Sequence, residues 1–257
     1  MSESQRMACP VLIAVCGGTA SGKTTFCNVI ASNPNFQKVV VISQDSFYRN
    51  LTEEEKANVA EYNFDSPNAF DWALIMKTLK RIKGRKRVEI PTYDFTTHSR
   101  TKEVKILDIG DVVIFEGLYS YYSQDKFDLC SMFDLKIFVE TDDDVRLGRR
   151  IIRDMNSRGR TLESVLYQYK KFVKPAYDDW VFPQRKVADI IIPWGEISNN
   201  ALEVDNEKIN QYPVIKMMTR YIDQFIKRSS FEKVVRSGSA EILNDLDIKT
   251  SALSDVE

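Results

Sequence analysis

The stretch VLIAVCGGTASGKTTF, Val11 to Phe26, decides how the chain folds. An apolar run leads straight into a glycine-rich turn that ends in Lys23 and Thr24. Gly17, Gly22, Lys23 and Thr24 match G-x-x-x-x-G-K-[ST] at full spacing. Glycines let backbone N–H groups close on a β-phosphate, and a helix starting at Lys23 adds its positive N-terminal end. The lysine reaches the β- and γ-phosphates, and the threonine hydroxyl can ligate Mg²⁺. The turn therefore reads as a cradle for a nucleoside triphosphate and magnesium. Alone, it does not separate a GTPase from an ATPase or a kinase.

Outward from this loop, strand and helix signals alternate. Short β-branched runs occur at 11–16, 38–43, 111–117, 135–140 and 189–193. Most are apolar almost throughout, as strands covered on both faces are. Helical patterns lie between them at Lys23–Ser32, Asn68–Lys83, Asp142–Arg158, Thr161–Val173 and Val214–Lys227. In the second, Phe70, Leu74, Met76, Leu79 and Ile82 are expected to face inward. The alternation predicts an α/β fold, a five-stranded parallel sheet sandwiched by helices. One segment, RVEIPTYDFTTHSRTKEVKIL (87–107), holds two alternating runs and predicts an antiparallel hairpin. Its tip carries Tyr93, Asp94, Phe95, His98 and Arg100. A polar-aromatic tip of this kind suits a binding surface.

The bulk composition narrows the class. The 257 residues, 43% hydrophobic and 28% charged, suit an ordinary globular chain with a sizeable core. A formal net charge of -1 argues against a generally basic nucleic-acid binder. Cys9, Cys16, Cys27 and Cys130 have no metal-type spacing, and they fit a reducing cytosol. The N-terminus has no long apolar stretch, so no signal peptide is expected. No run approaches the roughly 20 apolar residues of a membrane span. The expected organisation is a flexible 1–9, one domain over 10–230 and a mobile acidic tail over 231–257, with Glu196–Tyr212 as a surface loop.

Two carboxylates are expected at the edge where open α/β sheets bind ligands. Asp45 in VVVISQDSFY follows the second strand, and Glu116 in DVVIFEG follows another. Further on, a helix with Thr141 as its expected N-cap carries Arg146, Arg149, Arg150 and Arg153 on one face. Arg158 and Arg160 follow around Gly159, making six arginines in fifteen residues. They read either as a solvated face paired with acids or as a lid that closes guanidinium groups over a transferring phosphate. Arg146 is the weakest member and suits a structural place.

These segments, together with NFDSPNAFD, PTYDFTTHSR, RRIIRDMNSRGR and KPAYDDWVFPQRKVADIIIPWG, resemble the uridine-cytidine kinases. The likeness runs in order over about residues 10 to 195, so it does not rest on the phosphate loop alone. It implies a P-loop NTPase three-layer sandwich, with 87–107 as a nucleoside-binding hairpin and 142–174 as a lid. It implies ATP or GTP as donor, Mg²⁺, and phosphorylation of the 5′-hydroxyl of uridine and cytidine. Asp45 is implied as general base, with Thr24, Glu116 and Asp45 at the metal. ATP is implied at Gly17, Gly18, Thr19, Ala20, Ser21, Gly22, Lys23, Thr24 and Thr25, with Arg153, Arg158 and Arg160 facing the triphosphate. Asp65 and Arg150 are implied at the ribose, and Tyr93, His98 and Gln168 at the base, with Tyr48 on the same side. Phe64 and Phe95 supply the aromatic walls that a pyrimidine needs.

Members usually read NFDHP, whereas this chain has Ser66 in place of that histidine, which leaves His98 as its only one. The resemblance further implies a cytoplasmic homotetramer inhibited by CTP and UTP. Two other readings stand beside it. One is a different P-loop small-molecule kinase, such as a phosphoribulokinase. The other is a non-catalytic nucleotide-dependent regulator, which the absence of a base-reading NKxD motif and the pair Asp45 and Asp65 disfavour.

Overall fold

The structure, a computed structural model, describes residues 9–33, 36, 38–124, 126–194 and 212–236, with side chains up to 228. The expected flexible residues 1–8, most of the loop Glu196–Tyr212 and the tail from 237 lie outside these residues.

Among the described residues, five parallel strands form the central sheet in the order β2–β5–β1–β8–β9. They are β1 (Val11–Cys16), β2 (Val39–Ser43), β5 (Val112–Gly117), β8 (Leu135–Glu140) and β9 (Ile190–Pro193). β3 (Val88–Asp94) and β4 (Ser99–Leu107) pair as the antiparallel hairpin, and β6 (Ser123–Gln124) with β7 (Phe127–Asp128) forms a small ribbon. The helices are α1 (Lys23–Ala31), α2 (Glu53–Ala57), α3 (Trp72–Lys83), α4 (Asp143–Arg158), α5 (Leu162–Gln168), α6 (Lys174–Ala176) and α7 (Pro213–Arg236). Two π-helical segments, Tyr169–Val173 and Tyr177–Val181, keep the α5–α6 stretch continuous. α7 is longer than expected and passes residue 230. None of these helices is long and apolar enough to cross a membrane.

β1 is buried along its whole length, which explains its unbroken apolar run. Strand alternation then divides its side chains between two cores. Val11, Ile13 and Val15 pack with Phe26, Val29, Ile30, Trp194 and the α7 residues Ile215, Met218 and Ile222. Leu12, Ala14 and Cys16 pack with Phe47, Trp72, Ile75, Leu79 and Tyr119. Burying each large aliphatic side chain contributes about 1.5–3 kcal/mol. The sheet is thus clamped from both faces, and the loop after β1 starts from a rigid base.

Several expectations need correction. α3 begins at Trp72, because Pro67–Ala69 forms a separate 3₁₀ turn and the Asp71 side chain caps the helix through Leu74 N–H. Its buried face is Trp72, Ile75, Thr78, Leu79 and Ile82, whereas Leu74 and Met76 are only half-buried beside it. Asp142, not Thr141, is the N-cap of α4. The Thr141 hydroxyl instead donates to Ser21 O at 3.0 Å, tying β8 to the glycine loop. Glu116 lies within β5, with Val15 and Ser43 as its neighbours on β1 and β2, and not beyond the strand.

Gly22 shows how tightly the loop is backed. Its φ of 94° is left-handed, and a Cβ there would stand 2.1 Å from Trp194 Nε1. Trp194 is fully buried, so the rigid indole cannot swing away. Gly22→Ala should therefore destabilise the fold by about 2 kcal/mol or more. A urea unfolding midpoint equal to that of the unsubstituted protein would show that this packing is looser than described.

Candidate active site

The carboxyl ends of β1, β2 and β5 open on a cavity of about 310 Å³. One wall is the glycine loop, residues 19–25, running into the N-terminus of α1. Gly17 and Gly18 lie behind this wall, with the Arg146 guanidinium packed against Gly18. Arg146 is itself buried, stacks 3.8 Å over the Tyr177 ring and pairs with Asp143. It braces the loop from the rear and does not line the cavity.

Lys23 is buried at the cavity floor and donates to Gly18 O at 2.8 Å. Burial pushes its ammonium pKa down, with Arg153 adding to the effect, against the opposing pull of Glu116, Cys16 and Asp45. Thr24 Oγ1 donates to Glu116 Oε1 at 3.2 Å. Asp45 sits in the 3₁₀ turn Gln44–Phe47, which starts when Ser43 Oγ accepts from Asp45 N–H. Burial raises the pKa of both Asp45 and Glu116, although Lys23 pulls each the other way. The site therefore gathers two reluctant carboxylates and a reluctant ammonium.

The roof comes from α4 and the turn after it. Arg149, Arg150, Arg153, Arg158 and Arg160 all line the cavity. Arg150 Nη1 donates to Thr19 Oγ1 at 3.1 Å, joining the roof to the glycine loop. Arg158 lies 5.0 Å over the Phe95 ring, joining the same roof to the hairpin.

The far wall is aromatic. Tyr48, Phe64, Phe95 and His98 line it, beside Asp65 and Gln168. His98 stacks on Phe64 at 4.8 Å with an interplanar angle of 25°. It holds a left-handed φ of 50° at the position just before β4. Burial, with the nearby Arg160 charge, lowers its pKa and keeps the ring neutral at pH 7. Tyr93 differs from expectation: it is buried against Tyr48 at 5.1 Å and does not line the cavity. Arg100 is also committed elsewhere, to Tyr48 O, Phe47 O and Asp71, so it anchors the hairpin. The Gln168 amide donates to Ala60 O at 2.8 Å, while Tyr167 and Lys171 bind Glu61. These contacts hold the α5 region against the chain just ahead of Phe64.

The cavity has further participants that the spacing of motifs did not single out. Gly117 and Leu118 line its floor. Tyr119 donates its backbone N–H to Gln44 Oε1 and its hydroxyl to Asp65 O, connecting the β5 end to the loop that bears Asp65. Asp154 lies behind the arginine roof at zero exposure. An acid four residues after Arg150 and four before Arg158, inside a basic run, was its available signal.

A glycine loop on the central strand, with Glu116 on the adjacent β5 and Asp45 in the turn after β2, places the chain among the P-loop proteins. The chain belongs to the Phosphoribulokinase / Uridine kinase family, whose match covers residues 12–201. It is 50% identical over 196 residues to Uridine-cytidine kinase B of Dictyostelium discoideum, covering 76% of this chain and 79% of that protein. It is 51% identical over 195 residues to Uridine-cytidine kinase 2-B of Danio rerio, covering 72% and 74% respectively. Uridine-cytidine kinase A of Dictyostelium discoideum is 46% identical, but the match spans only 41% of that longer protein. The fold resembles that of phosphoribulokinase from Rhodobacter spheroides with a TM-score of 0.62 at 16% identity, covering 86% of this chain and 98% of that one.

The raised pKa of Asp45 has a consequence for stability. A carboxyl with a higher pKa in the folded state binds its proton there more tightly than in the unfolded chain. Stability is then lost as pH rises from the unfolded value through the folded one. Asp45→Asn should melt at a higher temperature than the unsubstituted protein at pH 7, with the difference shrinking toward pH 4. An unchanged or lower melting temperature at pH 7 would show that Asp45 is not held against its solvation.

Proposed function

We propose that the chain transfers the γ-phosphoryl group of ATP to the 5′-hydroxyl of uridine and cytidine. The observation that carries this reading is one cavity holding both the Lys23 loop and the Phe64–His98 wall. The names of the Dictyostelium and Danio relatives support it. A single kinase domain over 10–230 follows, with 87–107 as the nucleoside hairpin and 142–174 as the lid. The resemblance extends the proposal to a cytoplasmic homotetramer inhibited by CTP and UTP.

The triphosphate lies along 17–25, where backbone N–H groups and the α1 N-terminus favour anions. Lys23 leaves Gly18 O for the β- and γ-phosphates, and its desolvated ammonium gains more from them than it would in water. Arg153, Arg158 and Arg160 face the transferring group from the roof. Asp65 accepts hydrogen bonds from the ribose hydroxyls, and Arg150 supports that end. Pyrimidine stacking falls to Phe64, Tyr48 and Phe95. Its edge falls to His98, with Tyr93 and Gln168 holding the wall in register. Asp45 orients the 5′-hydroxyl and takes its proton. Transfer of this kind has a loose transition state, so position matters more than base strength.

The residues fit Mg²⁺. Thr24 Oγ1, Glu116 and Asp45 offer oxygen donors beside the loop, the donor class this ion prefers. Among the described residues, no group of three or more acidic, histidine or cysteine side chains forms a dedicated metal cage. That suits an ion held by one or two carboxylates together with phosphate oxygens. When bound, it would neutralise charge on the β- and γ-phosphates.

ADP release, followed by a coupled assay with uridine, cytidine or ribulose 5-phosphate as acceptor, tests this reading. Release should depend on either nucleoside, whereas release with the sugar phosphate would favour the phosphoribulokinase branch. In the same assay Asp45→Asn should keep its ATP affinity and lose at least about 10²-fold in turnover. Near-normal turnover would remove Asp45 from the base role. A neutral imidazole has one donor and one acceptor nitrogen, so His98 can serve a 4-oxo or a 4-amino group. His98→Leu should lower the specificity constants for uridine and cytidine; unchanged constants would refute the contact.

A further inference from the structure

Among the described residues, Asp154 is a buried acid outside the cavity on which four cavity arginines converge. Its carboxylate has zero exposure. Oδ1 meets Arg153 Nε at 2.9 Å and Arg158 Nη1 at 3.3 Å. Oδ2 meets Arg160 Nη1 at 3.4 Å and Arg150 Nε at 3.5 Å. The main chain of the same residue holds the same turn. Asp154 O accepts the N–H of Gly159, which has a left-handed φ of 62°, and the N–H of Arg160 at 3.1 Å. One residue thus secures the backbone that carries Arg158 and Arg160 and the guanidinium heads themselves.

We propose that Asp154 is the positioning residue of the phosphoryl-transfer site, setting the arginine roof in its working geometry before the triphosphate arrives. The proposal rests on the kinase reading given above. Each guanidinium has five N–H donors, and one carboxylate can occupy only a few of those offered by four arginines. Donors are left over, one of which Arg150 spends on Thr19 Oγ1, and the cluster keeps an excess of positive charge. Without the carboxylate, four like charges would repel one another, and each long side chain would regain rotamer entropy by leaving. Burial opposes ionisation of Asp154, yet Arg153, Arg150 and Arg158 outweigh it and hold its carboxyl below the ordinary range. The acid is therefore charged at neutral pH.

The position of this centre gives it reach over both substrates. Through Arg150 it connects to Thr19 of the phosphate loop. Through Arg158 it connects to Phe95 of the aromatic wall. Asp154 does not line the cavity and touches neither reactant, so its effect is transmitted through the arginines. A triphosphate would still find the cationic groups after the acid is neutralised. They would no longer stand where the charge of the transition state develops. Displacements of about 1 Å can cost about 10²-fold in rate.

The test is Asp154→Asn in the full chain, with uridine and ATP as substrates. Asparagine keeps the main-chain carbonyl and nearly the same volume and removes only the charge. ATP binding measured by calorimetry should stay within about threefold of the unsubstituted protein, while kcat per ATP-binding site falls about 10²-fold. Asp154→Glu restores the charge one methylene away and should recover part of that loss. A kcat per binding site within twofold of normal in Asp154→Asn would overturn the proposal, because a purely structural acid would lower only the number of competent sites. A loss of ATP affinity as large as the loss of kcat would also overturn it. If Asp154→Asn is not recovered folded, Asp154→Glu carries the test, and a normal kcat in that variant refutes the proposal. The unsubstituted protein separates the two levels: no turnover of uridine by it would refute the kinase reading itself.

Discussion

The site depends on the way Lys23, Asp45 and Glu116 are gathered at the carboxyl ends of β1, β2 and β5, where burial strips part of their solvation. Burial raises both carboxylates and lowers the ammonium, and each cation or anion moderates the cost borne by its opposite. Such an arrangement is expensive in an empty pocket and useful in a filled one. Groups that are poorly solvated interact more strongly with a polyanion or a developing charge than the same groups do in water. The scaffold must be stiff enough to keep them there. The double clamp on β1, the Arg146 brace behind Gly18 and the Trp194 indole against Gly22 supply that stiffness.

The two halves of the cavity are connected by direct contacts. Arg150 reaches the phosphate loop and Arg158 reaches the hairpin, while Tyr119 links the β5 end to the Asp65 loop. The α5 region grips Ala60 and Glu61, just ahead of Phe64. On the proposed reading, a nucleoside against Phe64 and His98 would meet the same arginine roof that would cover the triphosphate. This geometry serves transfer between two bound molecules better than it serves hydrolysis, since both walls converge on Asp45 and Lys23.

Much of the sheet was legible because buried parallel strands leave apolar runs that no surface element imitates. The glycine loop was legible because its chemistry demands particular residues at particular spacing. The hairpin showed itself by alternation. What stayed hidden depended on contacts between distant residues. Nothing local distinguishes Tyr93, which turns into the aromatic core, from Phe95, which stays at the cavity. Arg100 looked like a tip residue but is spent on main-chain carbonyls about fifty positions earlier in the chain. Thr141 had the chemistry of a helix cap, yet Ser21 O claims its hydroxyl. Asp154 was masked by the arginines around it, because sequence displays their charges and not their convergence.

The central claim is that the arrangement brings a nucleoside 5′-hydroxyl to Asp45 and the γ-phosphoryl group. Phosphorus NMR of the product formed from ATP and uridine tests it most directly. The account predicts a single new monoester resonance split by the two protons of a 5′-methylene. A resonance coupled to a single ribose proton, or inorganic phosphate as the only product, would contradict it.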